Sequence, residues 1–111
     1  MIDSYEGRFM RLFVFFDLPT GTKKERSHAT RFRNMLIKNG FMMLQFSVYV
    51  RVCKGQDMVS KYLDITMKHL PPKGHIRAMQ ITDKQYERMH ILIGEETVEE
   101  KNVGMQQLLL F

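Results

Sequence analysis

Residues 9–21 read FMRLFVFFDLPTG, and this stretch decides the fold. Phe9 to Phe16 is a run of Phe, Val and Leu broken by Arg11, and such continuous hydrophobicity is typical of a central strand covered on both faces. The run ends at Asp17-Leu18-Pro19-Thr20-Gly21, where proline restricts φ and glycine permits positive φ. The sequence therefore predicts a buried strand that is followed by a tight loop.

A helix is predicted directly after this loop. Thr22 and Glu25 have the spacing of a capping box, in which each side chain bonds the other residue's backbone amide. The helix is expected to run from about Lys23 to Asn39, with Gly40 as the stop residue. Its predicted buried face consists of Ala29, Phe32 and Leu36, with Met35 at the edge.

The next segment predicts a hairpin and a second helix. Phe41 to Val52 is long for one strand and alternates from Phe46 onward, so we expect two short strands with a bend at Gln45-Phe46-Ser47. A helix from about Gln56 to Leu70 follows, because Pro71-Pro72 cannot continue it. Its inward-facing residues are expected to be Val59, Tyr62, Leu63 and Leu70.

The following residues predict a strand, a helical turn and a further short strand. His75 to Thr82 is the first of these, and Thr82 to Gln85 is a second capping-box match that opens a turn through about Met89. His90 to Ile93 is the short strand, ended by Gly94. The predicted fold is α+β, with a ferredoxin-like βαββαβ order, an added C-terminal strand and both long helices on one sheet face.

The uncovered sheet face and the C-terminal tail both favour a homodimer. Residues 1–94 are expected to form one domain, and residues 95–111 an acidic linker that ends in QQLLLF. Burial of each large apolar side chain is worth about 1.5–3 kcal/mol, so the tail is expected to add as a strand to a sheet edge. That edge belongs to its own subunit, to a second copy or to another protein. We expect two copies packed sheet to sheet.

Length and composition exclude several classes of protein. The chain has 111 residues and a mass of 13.2 kDa, which is the size of one domain. Its apolar runs are too short for a membrane span, and Met1 to Glu6 has two acids and no apolar core of a secretory signal. The single cysteine, Cys53, excludes an internal disulfide and predicts a cytoplasmic protein. One cysteine and four dispersed histidines are too few for a structural zinc site in one subunit.

The charge distribution points to a polyanionic partner. The chain has 17 Lys and Arg against 12 Asp and Glu, a net charge of +5, and a pI near 9.5. Four of the acids lie in residues 95–100, so the net charge of residues 1–94 is +8. A basic body of this kind is typical of proteins that bind nucleic acid, although a basic surface also serves solubility alone.

Asp17 is the carboxylate with the most interesting position. It stands where a hydrophobic strand opens into a loop, a place where polar chemistry is often displayed, but an aspartate there also commonly starts a turn. One carboxylate cannot hold a catalytic Mg²⁺, which takes one or two carboxylates with water and phosphate oxygens. A twofold axis near the loop would bring a second Asp17 beside the first and make a shared site.

The basic residues follow two patterns. Lys24, Arg31 and Lys38 are seven residues apart and therefore lie along one flank of the first helix. Arg11 and Arg77 interrupt strands, where each guanidinium must reach solvent, an acid or a phosphate. These five residues are the predicted nucleic-acid contacts, with Arg77 preferred. The sequence contains neither GxxxxGK[ST] nor GxGxxG, so we expect no nucleotide cofactor.

Two motifs in order resemble a known family. Met10 to Thr20, followed by a basic helix and then Gly40 to Tyr49 (GFMMLQFSVY), is similar to the CRISPR-associated protein 2 family, the small subunit of the spacer-acquisition machinery. Gly74-His75-Ile76-Arg77 and Ile81 to Tyr86 resemble the variant in systems with a single large effector nuclease. The resemblance covers about residues 8–94.

The resemblance implies a ferredoxin-like homodimer whose C-terminal strand completes the partner's sheet. It further implies a metal-dependent endonuclease acting on RNA or double-stranded DNA, with Asp17 of each subunit binding Mg²⁺ or Mn²⁺. A second implied role is that of a scaffold that holds the duplex to be inserted into the CRISPR array and bridges two integrase dimers. The residue after Asp17 is Leu18 rather than a second acid, so the implied metal site has few ligands.

Three functions therefore stay open at this point. The first is a DNA-binding scaffold and integrase partner, which suits a basic body and a docking tail. The second is a working Mg²⁺-dependent phosphodiesterase that uses paired Asp17 residues. The third is a dimeric module of the same fold that binds or cleaves mRNA, since a fold alone does not determine function.

Overall fold

The described part of the chain, residues 9–95 of a computed structural model, contains four strands and three helices. The strands are β1 (Phe9–Asp17), β2 (Met42–Gln45), β3 (Val48–Lys54) and β4 (His75–Thr82). The helices are α1 (Lys23–Lys38), α2 (Gln56–Met67) and α3 (Asp83–Glu87). Their order confirms the predicted βαββαβ core, which is followed by one short helix.

Local signals determine where these elements begin. The predicted capping box of α1 is present, because Thr22 Oγ1 accepts from the amide of Glu25 at 3.1 Å and Glu25 Oε1 accepts from the amide of Thr22 at 2.9 Å. The second box is formed by Thr82 and Gln85 at the start of α3. Each box satisfies two amides that would otherwise have no intrahelical acceptor.

The four strands form one antiparallel sheet in the order β2-β3-β1-β4. β1 is central, as its continuous hydrophobicity predicted, and it pairs with β3 on one side and with β4 on the other. The predicted bend is the turn Phe46-Ser47 between β2 and β3, and the pairing of these strands shifts register just before it, between Met43 and Gln45. The strand order and the two crossing helices are those of a ferredoxin-like fold.

Both long helices cover the same sheet face. The main core lies on this face and combines residues of β1, β3, α1 and α2. Its buried members include Leu12, Val14, Phe16, Phe32, Leu36, Tyr49, Cys53 and Val59. Alternate residues of a strand point to opposite faces, so the odd-numbered residues of β1 occupy the other face. Phe13 is buried there with Val50 and Tyr86, and only the short helix α3 covers this side.

Two predicted elements differ from the structure. His90–Ile93 is not a strand, and Leu92 and Ile93 are 91% and 97% exposed. An apolar run becomes a strand only when another strand pairs with it, and within residues 9–95 no strand does so. Helix α2 ends at Met67, before the expected Leu70, which is 52% exposed. Pro71 disfavours helical backbone at the residue before it, so the last residues form a turn. The predicted tail and most of the 95–111 segment lie outside the described residues.

Candidate functional site

Asp17 is the last residue of β1 and its side chain is exposed. In the ladder between β1 and β4 its partner is His75, the first residue of β4. Directly opposite residues of an antiparallel pair lie on the same face, so the two side chains share the face that the long helices leave open. The sheet thus presents one carboxylate and one imidazole at the same end.

Gly74 permits a close approach between the two chain segments at this end. Its φ is +111°, and a Cβ at this position would lie 2.6 Å from Leu18 Cδ2 and 2.8 Å from the carbonyl oxygen of Asp17. Both the positive φ and the absence of a side chain are therefore required here. Gly74 holds the start of β4 against the residues that carry the Asp17 carboxylate.

The turn between β2 and β3 lies on the other side of Asp17. The amide of Phe16 donates a hydrogen bond of 3.1 Å to the carbonyl oxygen of Ser47. This bond extends the pairing of β1 with β3 by one position and places the turn beside the end of β1. Asp17 therefore stands between the turn on one side and His75 on the other.

The ligands available for a divalent metal at this end are few. Among residues 9–95 no three His, Cys, Asp or Glu side chains come close enough together to hold a metal ion. Mg²⁺ is commonly held by one or two carboxylates, with the remaining positions filled by water and phosphate oxygens. The exposed Asp17 carboxylate fits one of those positions. Asp17 thus supplies one of the one or two carboxylates that such a site uses, and a second copy would supply an equivalent one.

Helix α1 begins after the loop that follows Asp17 and is strongly basic. It has six Lys or Arg residues and one acid, Glu25, whose carboxylate already accepts from a backbone amide. The three predicted contacts on this helix, Lys24, Arg31 and Lys38, are all exposed. The helix therefore presents a positive surface with no acid along it beyond the first turn.

The structure separates the two strand arginines that the sequence grouped together. Arg77 is exposed on β4, opposite Phe15 of β1, and is free to reach a partner molecule. Arg11 is only 6% exposed, its Nε donates to Asp83 at 2.7 Å, and its guanidinium lies 4.3 Å from the centre of the Tyr86 ring. The sequence left solvent, an acid or a phosphate as partners for Arg11. The structure shows that its partner is the acid Asp83, so Arg11 stabilises the fold.

One exposed pair was missed by the sequence reasoning. Phe46, in the turn between β2 and β3, is 70% exposed, and the guanidinium of Arg33 lies 4.0 Å from the centre of its ring. The residues are thirteen positions apart and belong to different elements. No spacing rule pairs a helix residue with a turn residue, so only the packing of α1 against the sheet reveals this contact.

The comparisons with known proteins identify the family. The family model described as CRISPR associated protein Cas2 matches residues 10–89, which is most of the chain. The chain belongs to the Cas2 family. The match includes β1 except its first residue, the other three strands, all three helices, and both Asp17 and Arg77.

Several curated Cas2 proteins are similar to the chain. One from Campylobacter jejuni is 46% identical over 106 residues, covering 96% of this chain and 74% of the relative. One from Acidovorax ebreus is 40% identical over 102 residues, covering 92% and 100%. One from Flavobacterium psychrophilum is 43% identical over 104 residues, covering 94% and 90%. All three are named CRISPR-associated endoribonuclease Cas2.

Three helices lie in the described part of the chain. None of those within residues 9–95 is both long enough and apolar enough to cross a bilayer. The longest of them, α1, is also the most basic.

Proposed function

We propose that this Cas2-family chain is a cytoplasmic protein of CRISPR adaptation that binds double-stranded DNA as a homodimer and bridges integrase subunits during spacer acquisition. The single observation that carries the proposal is the charge of α1. The helix has six basic residues against one acid, which is engaged in a cap, and its exposed flank of Lys24, Arg31 and Lys38 suits a row of phosphates. Phosphate contacts of this kind position a protein on a duplex without selecting a sequence.

The proposed dimer is supported by apolar surface on the open side of the molecule. Met79 of β4 is 50% exposed, and Ile91, Leu92 and Ile93 are between 45% and 97% exposed. An apolar surface of this extent favours a protein partner, and the sheet face that lacks long helices favours a second copy. Two copies would double the number of basic α1 helices that one duplex can contact.

The test of the proposal is reconstituted spacer integration with the partner integrase and a double-stranded prespacer. We expect Lys24→Glu combined with Arg31→Glu to reduce duplex binding and integration together, because both exposed side chains lie on one flank of α1. The matched control is Lys61→Glu combined with Lys68→Glu, which makes the same change of net charge in and after α2. Equal losses from the two double variants would contradict a DNA surface on α1.

A second function, metal-dependent cleavage of RNA or DNA, is favoured by the position of Asp17 and by the names of the relatives. Its carboxylate is exposed at the end of the central strand, and we propose that Asp17 of both subunits holds Mg²⁺ or Mn²⁺. Such a metal, when bound, polarises a phosphoryl oxygen and stabilises the negative charge that develops on it. The chain's own part is to hold two carboxylates in place through the rigid pairing of β1 with β3 and β4.

Asp17→Ala separates the two functions. Under the cleavage proposal, the purified variant loses metal-dependent hydrolysis of RNA and of DNA while its fold is retained. Cleavage that survives in Asp17→Ala would remove Asp17 from any catalytic role. Under the scaffold proposal alone, the same variant integrates spacers as well as the wild type. Loss of integration with intact folding and DNA affinity would show that the carboxylate is needed for more than scaffolding.

A further inference from the structure

The turn between β2 and β3 presents a large aromatic ring to solvent. Phe46 is 70% exposed, which leaves most of the ring surface unused by the fold. A single exposed apolar side chain is common on protein surfaces and carries no function by itself. What distinguishes Phe46 is the way that its ring is held.

Arg33 supports the ring from one side. Its guanidinium carbon lies 4.0 Å from the centre of the Phe46 ring and 5.3 Å from the centre of the Phe16 ring, so it is placed between an exposed and a buried aromatic. Its Nε also donates to the carbonyl oxygen of Phe46 at 3.4 Å. The cation–π contact and the hydrogen bond together orient the ring and cover part of its surface. The rest of the ring stays exposed as a flat aromatic surface whose orientation is restricted by Arg33.

The position of this surface suits nucleic acid. Phe46 precedes Ser47, whose carbonyl oxygen accepts from the amide of Phe16, so the turn that carries the ring lies next to the end of β1. Arg33 belongs to α1, the helix with six basic residues. A strand of phosphates held along α1 would therefore have an aromatic surface at its side.

We infer that Phe46, supported by Arg33, stacks an unpaired nucleobase of a strand that leaves the duplex beside α1. Bases stack on aromatic side chains whatever their identity, because every base has a flat π-face. A base in a closed duplex is already stacked on its neighbours, so the surface would select single-stranded ends or extensions. This inference rests on the proposed binding of nucleic acid to α1 and adds to it a preference for unpaired nucleotides. An apolar segment of a protein partner is the competing occupant, and the charge of α1 disfavours it.

The experiment measures binding by fluorescence anisotropy to three labelled DNA probes and to a fourth probe with an RNA extension. The first is a blunt DNA duplex, the second is the same duplex with a short single-stranded extension, and the third carries abasic sites throughout that extension. Abasic sites retain the phosphates and remove the bases, so the second and third probes differ only in the bases of the extension. The same extension made of RNA shows whether a DNA or an RNA strand is preferred.

The variants are Phe46→Leu, which retains an apolar side chain without a π-face, and Phe46→Tyr, which retains the face. We expect Phe46→Leu to weaken binding of the extended duplex by about tenfold and to leave the blunt and abasic probes unchanged. Phe46→Tyr should bind all three as the wild type does. The control is Met67→Leu, an apolar change at a position that is 64% exposed at the end of α2.

Each result has a definite meaning. Equal affinity of Phe46→Leu and wild type for the extended duplex would overturn the inference, and so would an equal loss on all three probes, because Phe46 would then act through the fold. If the wild type binds the blunt duplex but does not distinguish extended from abasic probes, the inference fails and the proposed function stands. If the wild type binds no probe, both fail. Thermal unfolding of each variant confirms that the protein compared is folded.

Discussion

Arg11 donates a hydrogen bond from Nε to Oδ1 of Asp83 at 2.7 Å, which joins the central strand to a short helix 72 residues away. The arginine side chain is 7% exposed and the aspartate side chain 30% exposed, so the ion pair is largely withdrawn from water. The same guanidinium lies over the Tyr86 ring at 4.3 Å. These contacts hold α3 against the sheet face that the two long helices do not cover.

Loss of the Asp83 carboxylate should destabilise the fold. We expect Asp83→Ala to lower the free energy of unfolding by about 1–3 kcal/mol, because the buried Arg11 charge loses this acceptor. Asp83→Asn should cost less, since the amide oxygen still accepts a hydrogen bond. Urea unfolding measures both. Asp64→Ala, on the exposed side of α2, is the control, and a loss there as large as in Asp83→Ala would contradict a special role for the pair.

Gly74, at the Asp17 end of the sheet, can be compared with Gly55, which follows β3 at the opposite end. Both have positive φ, +111° and +87°, but a Cβ on Gly55 would meet nothing within 4 Å. Gly55 has φ +87° and ψ 171°, a backbone region that is essentially confined to glycine, so Gly55→Ala should cost only that backbone strain, about 1–3 kcal/mol. Gly74→Ala adds a backbone clash with Asp17 and should cost more. Thermal unfolding compares them, and equal losses would show that the close approach at Gly74 is relieved by a small movement.

The affinity of the chain for duplex DNA should depend strongly on salt. Neutralisation of about six phosphates predicts a slope near −5 in a plot of log affinity against log salt concentration. Arg77→Ala removes one exposed cation of β4 from each subunit, and we expect the slope to become shallower by about one unit for each Arg77 that contacts a phosphate, with a similar loss for every sequence. Filter binding over a range of KCl concentrations measures this. A slope near zero for the wild type would contradict binding through phosphates.

Cys53 should react slowly in the folded protein. Burial raises the pKa of its thiol, and the positive charge of Arg51 and a hydrogen bond from that side chain oppose the rise only in part. The thiolate is the reactive form, so we expect labelling by a disulfide reagent near neutral pH to be slow until denaturant is added. Labelling of the folded protein as fast as that of the denatured protein would contradict this expectation.

The raised pKa of Cys53 also predicts a pH dependence of stability. The unfolded thiol loses its proton at a lower pH than the folded one, so the free energy of unfolding should be unaffected by this group at neutral pH. It should fall as the pH rises above about 8.5, the ordinary thiol value, towards the folded pKa. Cys53→Ala should lack this part of the decline. Urea unfolding across the alkaline range compares the two proteins.

Asp17 should contribute little to stability. Its side chain is exposed, so we expect the melting temperature of Asp17→Ala to differ little from that of the wild type, as for most surface substitutions. If Asp17 instead serves mainly as a turn former, the variant should lose about 1 kcal/mol. Thermal unfolding thus distinguishes a carboxylate kept for binding from one kept for the turn, independently of any assay of cleavage.

Helix and strand ends that depend on a few neighbouring residues were predicted correctly from the sequence. The capping boxes at Thr22 and Thr82, the glycine after α1 and the alternation after Phe46 each act within a few residues, and the structure confirms them. The end of α2 and the run His90–Ile93 were predicted wrongly. Helix α2 ends early because Pro71 disfavours helical backbone at the residue before it. His90–Ile93 is not a strand because an apolar pattern forms one only where another strand pairs with it.

The sequence by itself determined the βαββαβ order, the central place of β1, the exposed end at Asp17 and the family to which the chain belongs. These follow from hydrophobic runs, caps and motifs, which are properties of neighbouring residues. Only the tertiary structure decided that Arg11 is held by Asp83, that Arg77 is exposed and that Arg33 supports Phe46. A long cationic side chain bonds whichever acid, ring or solvent the packed elements place within its reach, so its partner depends on the fold.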